Sequence, residues 1–254
     1  MNIFLMMKEN FCNSLKLSSV IQATLNIRLL SLFKFIFSLL LTGSSYSQST
    51  YQFGILPSIN LNKKLQKDWS LNFKTQSRQR IQNGDFRGNH TKEYEYLLTD
   101  FSILSAKKVG LNSRISGGYL IRFRNEEIIH RTIQQYSIVK RKTGFRLAHR
   151  IAADQSFSSN QSPEFRFRYR LTPEIPLDGQ TVDPKEFYIK TNLEFLNKFQ
   201  SSDYELEFRL APLFGYSFND RNKLEFGLDY RFDSIFVTDP RHSFWTSINW
   251  YLNF

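Results

Sequence analysis

The chain has 254 residues, with 34 Lys+Arg against 23 Asp+Glu and 41% hydrophobic residues. It is too polar for a bundle of membrane helices, each of which needs about 20 apolar residues in a row, and too apolar for a disordered chain. Aromatic residues reach 16%, which favours strands over helices, and the single cysteine, Cys12, excludes an intrachain disulfide and a cysteine-based zinc site.

The first predicted element is an address. The apolar run Phe35-Ile36-Phe37-Ser38-Leu39-Leu40-Leu41 follows Arg28 and Lys34 and precedes small residues at Ser45 and Ser47. A basic stretch, a short apolar stretch and small residues in that order define a secretory signal, with cleavage expected near Ser47. Lys34 interrupts the run, which is too short for a transmembrane anchor, and no cysteine follows it to carry a lipid. Residues 1–28 form a prefix upstream of a usual signal start. The expected organisation is a prefix plus signal over 1–47 and one folded domain over 48–254. That domain holds 30 basic and 22 acidic residues and no cysteine.

From residue 48 onward the pattern has period two, the mark of strands with unlike faces. The predicted strands are 51–61, 69–80, 93–105, 111–124, 130–141, 144–157, 163–173, 185–197, 203–217, 223–234 and 243–254. In Phe165-Arg166-Phe167-Arg168-Tyr169-Arg170-Leu171 the aromatics occupy one face and three arginines the other. Trp69, Leu71 and Phe73 alternate with Ser70, Asn72 and Lys74, and Leu224 to Phe232 alternate with Glu225 to Asp233 in the same way. Strands of about 10–14 residues exceed the usual 5–6 of soluble sheets and match a tilted bilayer crossing. Short connections are expected near 107–110, 142–144 and 219–222, and long ones near 81–92, 158–163, 198–203 and 237–243. This alternation fits short periplasmic turns and longer external loops.

The fold class expected is all-β: a closed antiparallel up-and-down transmembrane β-barrel. Eleven segments conflict with the even strand number of bacterial barrels, so 10 or 12 strands are expected, with 51–61 or the Pro-containing stretch 172–186 as the suspect. The last strand places Phe244, Thr246, Ile248, Trp250, Leu252 and Phe254 on one face. A terminal amphipathic strand ending in Phe254 resembles the signal read by the outer-membrane barrel assembly machinery.

Several stretches together resemble the Bacteroidota-type domain-of-unknown-function family 2490, predicted outer-membrane barrels. They are Trp69-Ser70-Leu71 leading to Arg78, His130-Arg131-Thr132-Ile133-Gln134-Gln135, His149-Arg150-Ile151, Phe165 to Arg170, Asn192-Leu193-Glu194-Phe195 and Glu207-Phe208-Arg209. The resemblance covers most of 51–254 and implies the barrel fold. It brings no activity, substrate or catalytic residue.

With apolar faces toward lipid, the lumen-facing candidates are Arg78, Arg80, Arg114, Arg122, Arg124, Arg146, Arg150, Arg166, Arg168, Arg170, Glu194, Glu205, Glu207, Arg209, Glu225, Asp229 and Arg231, with Asp154 beside them. Long charged side chains can fill a small barrel by pairing with one another. Where cations exceed acids they also favour anions in a narrow pore. The expected setting is the Gram-negative outer membrane, with outer-membrane lipid and lipopolysaccharide as surroundings, the assembly machinery as a transient partner, and no nucleic acid and no cofactor. Oligomeric state is open.

Two alternatives carry different signatures. A lipid hydrolase or acyltransferase would use a histidine, a serine and an acid near the lipid interface. The histidines are His90, His130, His149 and His242, with His90 and His242 expected in external loops, and Ser156 has the wrong parity to share a face with His149. A soluble lipocalin-like barrel would invert the faces, with apolar residues inside.

Overall fold

The computed structural model describes residues 49–235 and 240–254; the expected signal sequence and prefix lie outside them. Eleven strands follow one another: β1 (Thr50–Lys64), β2 (Trp69–Asp85), β3 (His90–Lys108), β4 (Ser113–Arg124), β5 (Glu127–Lys142), β6 (Phe145–Phe157), β7 (Glu164–Pro176), β8 (Glu186–Gln200), β9 (Asp203–Asn219), β10 (Asn222–Asp233) and β11 (Arg241–Asn253). Each pairs antiparallel with its sequence neighbours, and β1 pairs with β11 to close the barrel.

The expectation of 10 or 12 strands is corrected here: the described residues form eleven, 51–61 belongs to the full strand β1, and 172–186 is the end of β7 and a connection rather than an extra strand. The conflict is resolved at the seam. β1 and β11 run parallel, from Thr50 opposite Arg241 to Asn62 opposite Asn253. An odd number of up-and-down strands brings first and last strands together pointing the same way, so closure by a parallel ladder satisfies every edge. Seam side chains add to the backbone ladder. Gln52 donates to Ser243 Oγ at 2.8 Å, and Ser58 Oγ donates to Asn249 Oδ1 at 2.6 Å. Phe254 N donates to Asn62 O at 2.8 Å, which ties the chain end to β1.

Strands are 12–19 residues long, longer than the apolar alternation alone indicates. β2 and β3 continue as a hairpin through polar residues up to Asp85 and His90, so most of 81–92 is strand rather than loop. The connection near 198–203 contracts to Ser201 and Ser202, and the longest one, Leu177–Lys185, lies at the end expected to hold only short turns. The alternation of short and long loops therefore fails. Backbone pairing persists where side chains turn polar, because a hairpin ladder needs donors and acceptors but no greasy face. Asn125, one of only two residues between β4 and β5, has φ +50°, a left-handed conformation that asparagine tolerates.

The two faces are inverted relative to a water-soluble barrel. Thirty-nine large apolar side chains of the described residues are exposed, against ten buried apolar residues. Phe73, Phe101, Phe167, Phe195, Phe214 and Phe226 all point outward, while Asp154, Glu194, Glu207 and Glu225 are 1–3% exposed inside. The inner wall also contains Trp245, fully buried, in a space left by Gly54. A Cβ at residue 54 would come within 2.7 Å of the indole. Gly215 leaves similar room for the Tyr188 ring, whose carbons would lie 2.3–2.6 Å from an added Cβ.

Candidate functional site: a cationic lumen

Alternation sends every second residue of each strand into the barrel, and those residues surround a cavity of about 740 Å³. Fourteen of the residues lining it are Lys or Arg and seven are Asp or Glu. Uncompensated charges in an enclosed space are costly, so the pairing pattern decides which cations are structural and which are available.

The densest part is a row read straight across five strands. Arg150 on β6 stands opposite Arg170 on β7, Arg170 opposite Glu194 on β8, Glu194 opposite Arg209 on β9, and Arg209 opposite Arg231 on β10. Like charges directly opposite repel, and one carboxylate relieves most of the row. Glu194 accepts from Arg170 Nε at 2.7 Å, from Arg150 Nη2 at 3.2 Å and from Arg209 Nη1 at 3.2 Å. Arg209 has a second acid in Glu207, and Arg231 pairs with Asp229.

Other lumen acids are each engaged by cations or hydroxyls. Asp154 takes Arg166 at 2.9 Å and Arg168 at 2.8 Å. Asp100 receives Arg122 through two parallel bonds of 2.7 and 2.8 Å, the planar fork that makes arginine–carboxylate pairs strong. Lys198 bridges Glu207 at 2.9 Å and Glu205 at 3.3 Å. Toward the end that carries the C-terminus, Glu225 accepts from Tyr188 Oη at 2.9 Å and from Lys190 Nζ, and Lys190 lies over the Tyr251 ring. Tyr188, Lys190 and Glu225 fill the inner section there beneath the cavity, and Tyr251 forms part of its wall.

Two cations on β2 lack such partners. Among the described residues no carboxylate lies within ion-pair distance of Lys74 or Arg78, although both line the cavity. Arg78 instead covers the Trp245 ring at 5.1 Å, and its Nε is buried without an acceptor.

The structure places thirteen of the seventeen residues expected in the lumen on the cavity wall: Arg78, Arg80, Arg122, Arg124, Arg150, Arg166, Arg168, Arg170, Glu194, Glu207, Arg209, Asp229 and Arg231. The other four lie elsewhere. Glu225 is sealed beneath the cavity, and Glu205 pairs with Lys198 off its wall. Arg146 pairs with Glu174 at 3.3 Å, and Arg114 is exposed near the β3–β4 turn. Both sit at strand ends, where inner parity no longer means enclosure. Lys74, Asp100, Arg131, Lys198 and Asp233 line the cavity without having been among the candidates. Lys74 was legible from its shared parity with Asn72 and Arg78.

The histidines belong to the outer face. His130, His149 and His242 each contact a tyrosine hydroxyl, on Tyr119, Tyr169 and Tyr230, at 2.6, 2.9 and 2.9 Å. His242 is a residue of β11 and His90 the first of β3, not loop residues as expected. Ser156 faces inward, receiving Arg131 Nε at 2.8 Å and donating to Glu164 at 3.3 Å. It is on the opposite wall surface from His149, so the two form no nucleophile–base pair.

Fold and lumen together define a closed β-barrel with an apolar exterior and a predominantly cationic interior. The family model of proteins of unknown function DUF2490 matches residues 53–240, the span of β1 to β10, and the chain belongs to that family. No curated protein and no solved structure matches it.

Proposed function

We propose that this protein is an integral outer-membrane β-barrel whose narrow lumen admits anions in preference to cations. The observation that carries the reading is the surplus of cations over acids around the lumen cavity, inside a wall whose outer surface is rich in large apolar side chains. An exposed apolar area of this extent has no stable place in water, and a bilayer supplies the missing solvent. A cationic lining lowers the energy of an entering anion and raises that of a cation.

Aromatic side chains at both ends of the wall support the same setting, since amphipathic rings prefer the level of lipid headgroups. At one end Trp250 Nε1 donates to Asn222 Oδ1 at 2.7 Å, and Lys107 lies over Trp69. At the other, Tyr51, Phe86 and His242 contact one another in succession with centroids 5.3 Å apart, the first pair tilted and the second edge-to-face. Lipid and lipopolysaccharide cover the apolar wall in this reading, the chain reaches the membrane after cleavage near Ser47, and the strand ending at Phe254 is presented to the assembly machinery.

Planar-bilayer recording of the purified barrel in a potassium chloride gradient tests the selectivity. The expected reversal potential has the sign of chloride permeation. A cation-selective conductance, or none, rejects the pore.

A further inference from the structure

Lys74, Arg150 and Arg170 line one cavity inside the barrel. Lys74 on β2, half-buried, borders the same cavity as Arg150 on β6 and Arg170 on β7, whose charges act on it. Their charge is unbalanced locally. Arg150 and Arg170 share one oxygen of a single carboxylate, Glu194 Oε2, which also serves Arg209 through its other oxygen. Lys74 has no ion-pair partner among the described residues. Three cations thus meet with one acid in direct contact, and the next acids acting on Lys74 are Asp100 and Asp229, already engaged by Arg122 and Arg231. Arg150 and Arg170 keep 29% and 28% of their side-chain surface open, whereas Arg166, bound to Asp154, keeps 8%.

We propose that this trio binds a multivalent oxyanion, a small phosphorylated solute, in the middle of the lumen. Arginine guanidinium groups offer paired N–H donors that match two oxygens of one phosphate, and the lysine adds a compact charge from the facing wall. A monovalent halide would leave part of the surplus unmatched and use none of the fork geometry. The inference deepens the anion-favouring reading of the lumen and rests on the same orientation of the wall, but it requires binding rather than passage.

Isothermal titration calorimetry with inorganic pyrophosphate, on the full processed chain folded in detergent, tests it. Saturable binding is expected, weakened about tenfold or more by Lys74→Gln and by Arg150→Gln, the cost of roughly one charge-assisted contact. Lys64→Gln removes the same charge at the exposed end of β1 and is expected to leave binding unchanged. A gel-mobility comparison of heated and unheated samples establishes that each variant is folded. Absence of saturable binding by the unmodified barrel, or equal binding by folded Lys74→Gln, overturns the site. Binding without anion-selective conductance upholds the site while rejecting the pore, and conductance without binding rejects the site alone.

Discussion

Glu194 shows how a single residue holds the interior together. Its side chain is 1% exposed and receives three guanidinium groups from three different strands. An isolated carboxylate so placed would be strongly unfavourable, and so would the three arginines without it. Replacing it by glutamine keeps the shape and removes the charge, leaving Arg150 directly opposite Arg170 with no anion to neutralise them. Glu194→Gln is expected to lower the unfolding free energy by about 3–5 kcal/mol, the range for breaking one side of a buried charge cluster. Denaturant titration of the detergent-folded barrel measures this, and a variant as stable as the parent would show that the row tolerates its own repulsion. That Glu194 faces inward follows from its parity with Asn192 and Leu196. That it serves β6, β7 and β9 at once could not be read along the chain, because the partners come from registers fixed by pairing far apart in sequence.

At the scale of elements, the closing seam separates what a linear pattern holds from what it lacks. Alternation in Phe165 to Leu171 or Leu224 to Phe232 identifies strands and their two faces, and the eleven predicted segments correspond to the eleven strands observed. Period two carries no direction, however, so nothing in 51–61 or 243–254 reveals that these strands run parallel. The loop pattern misled for a related reason. Polar residues such as Gln82–Gly84 and Thr91–Lys92 resemble connection yet still form ladder bonds. Because the only cysteine is Cys12, introduced pairs in the folded domain report the seam cleanly. Gln52→Cys with Ser243→Cys, and Ser58→Cys with Asn249→Cys, are each expected to form a disulfide, since both pairs face each other across adjacent strands. Non-reducing gels read the cross-link by mobility. No single antiparallel register brings both pairs together, so cross-linking of one and not the other contradicts the parallel closure.

For the whole molecule, the inversion of faces is the feature on which the proposed location and anion passage both depend. Alternation alone is symmetric and leaves a lipocalin-like interior as open as a lipid-facing exterior. The assignment became legible only when closure put Asp154, Glu194 and Glu207 inside and Phe167, Phe195 and Phe226 outside. A wall of this kind is stable where its outer surface meets acyl chains and where its inner charges meet each other or a bound anion. The most direct measurement is fractionation of cells producing the processed chain, followed by alkaline extraction and flotation of the membranes with lipid vesicles. The chain is expected to float with the outer-membrane fraction and to resist extraction. Recovery of the folded chain in the soluble periplasmic fraction would contradict the account.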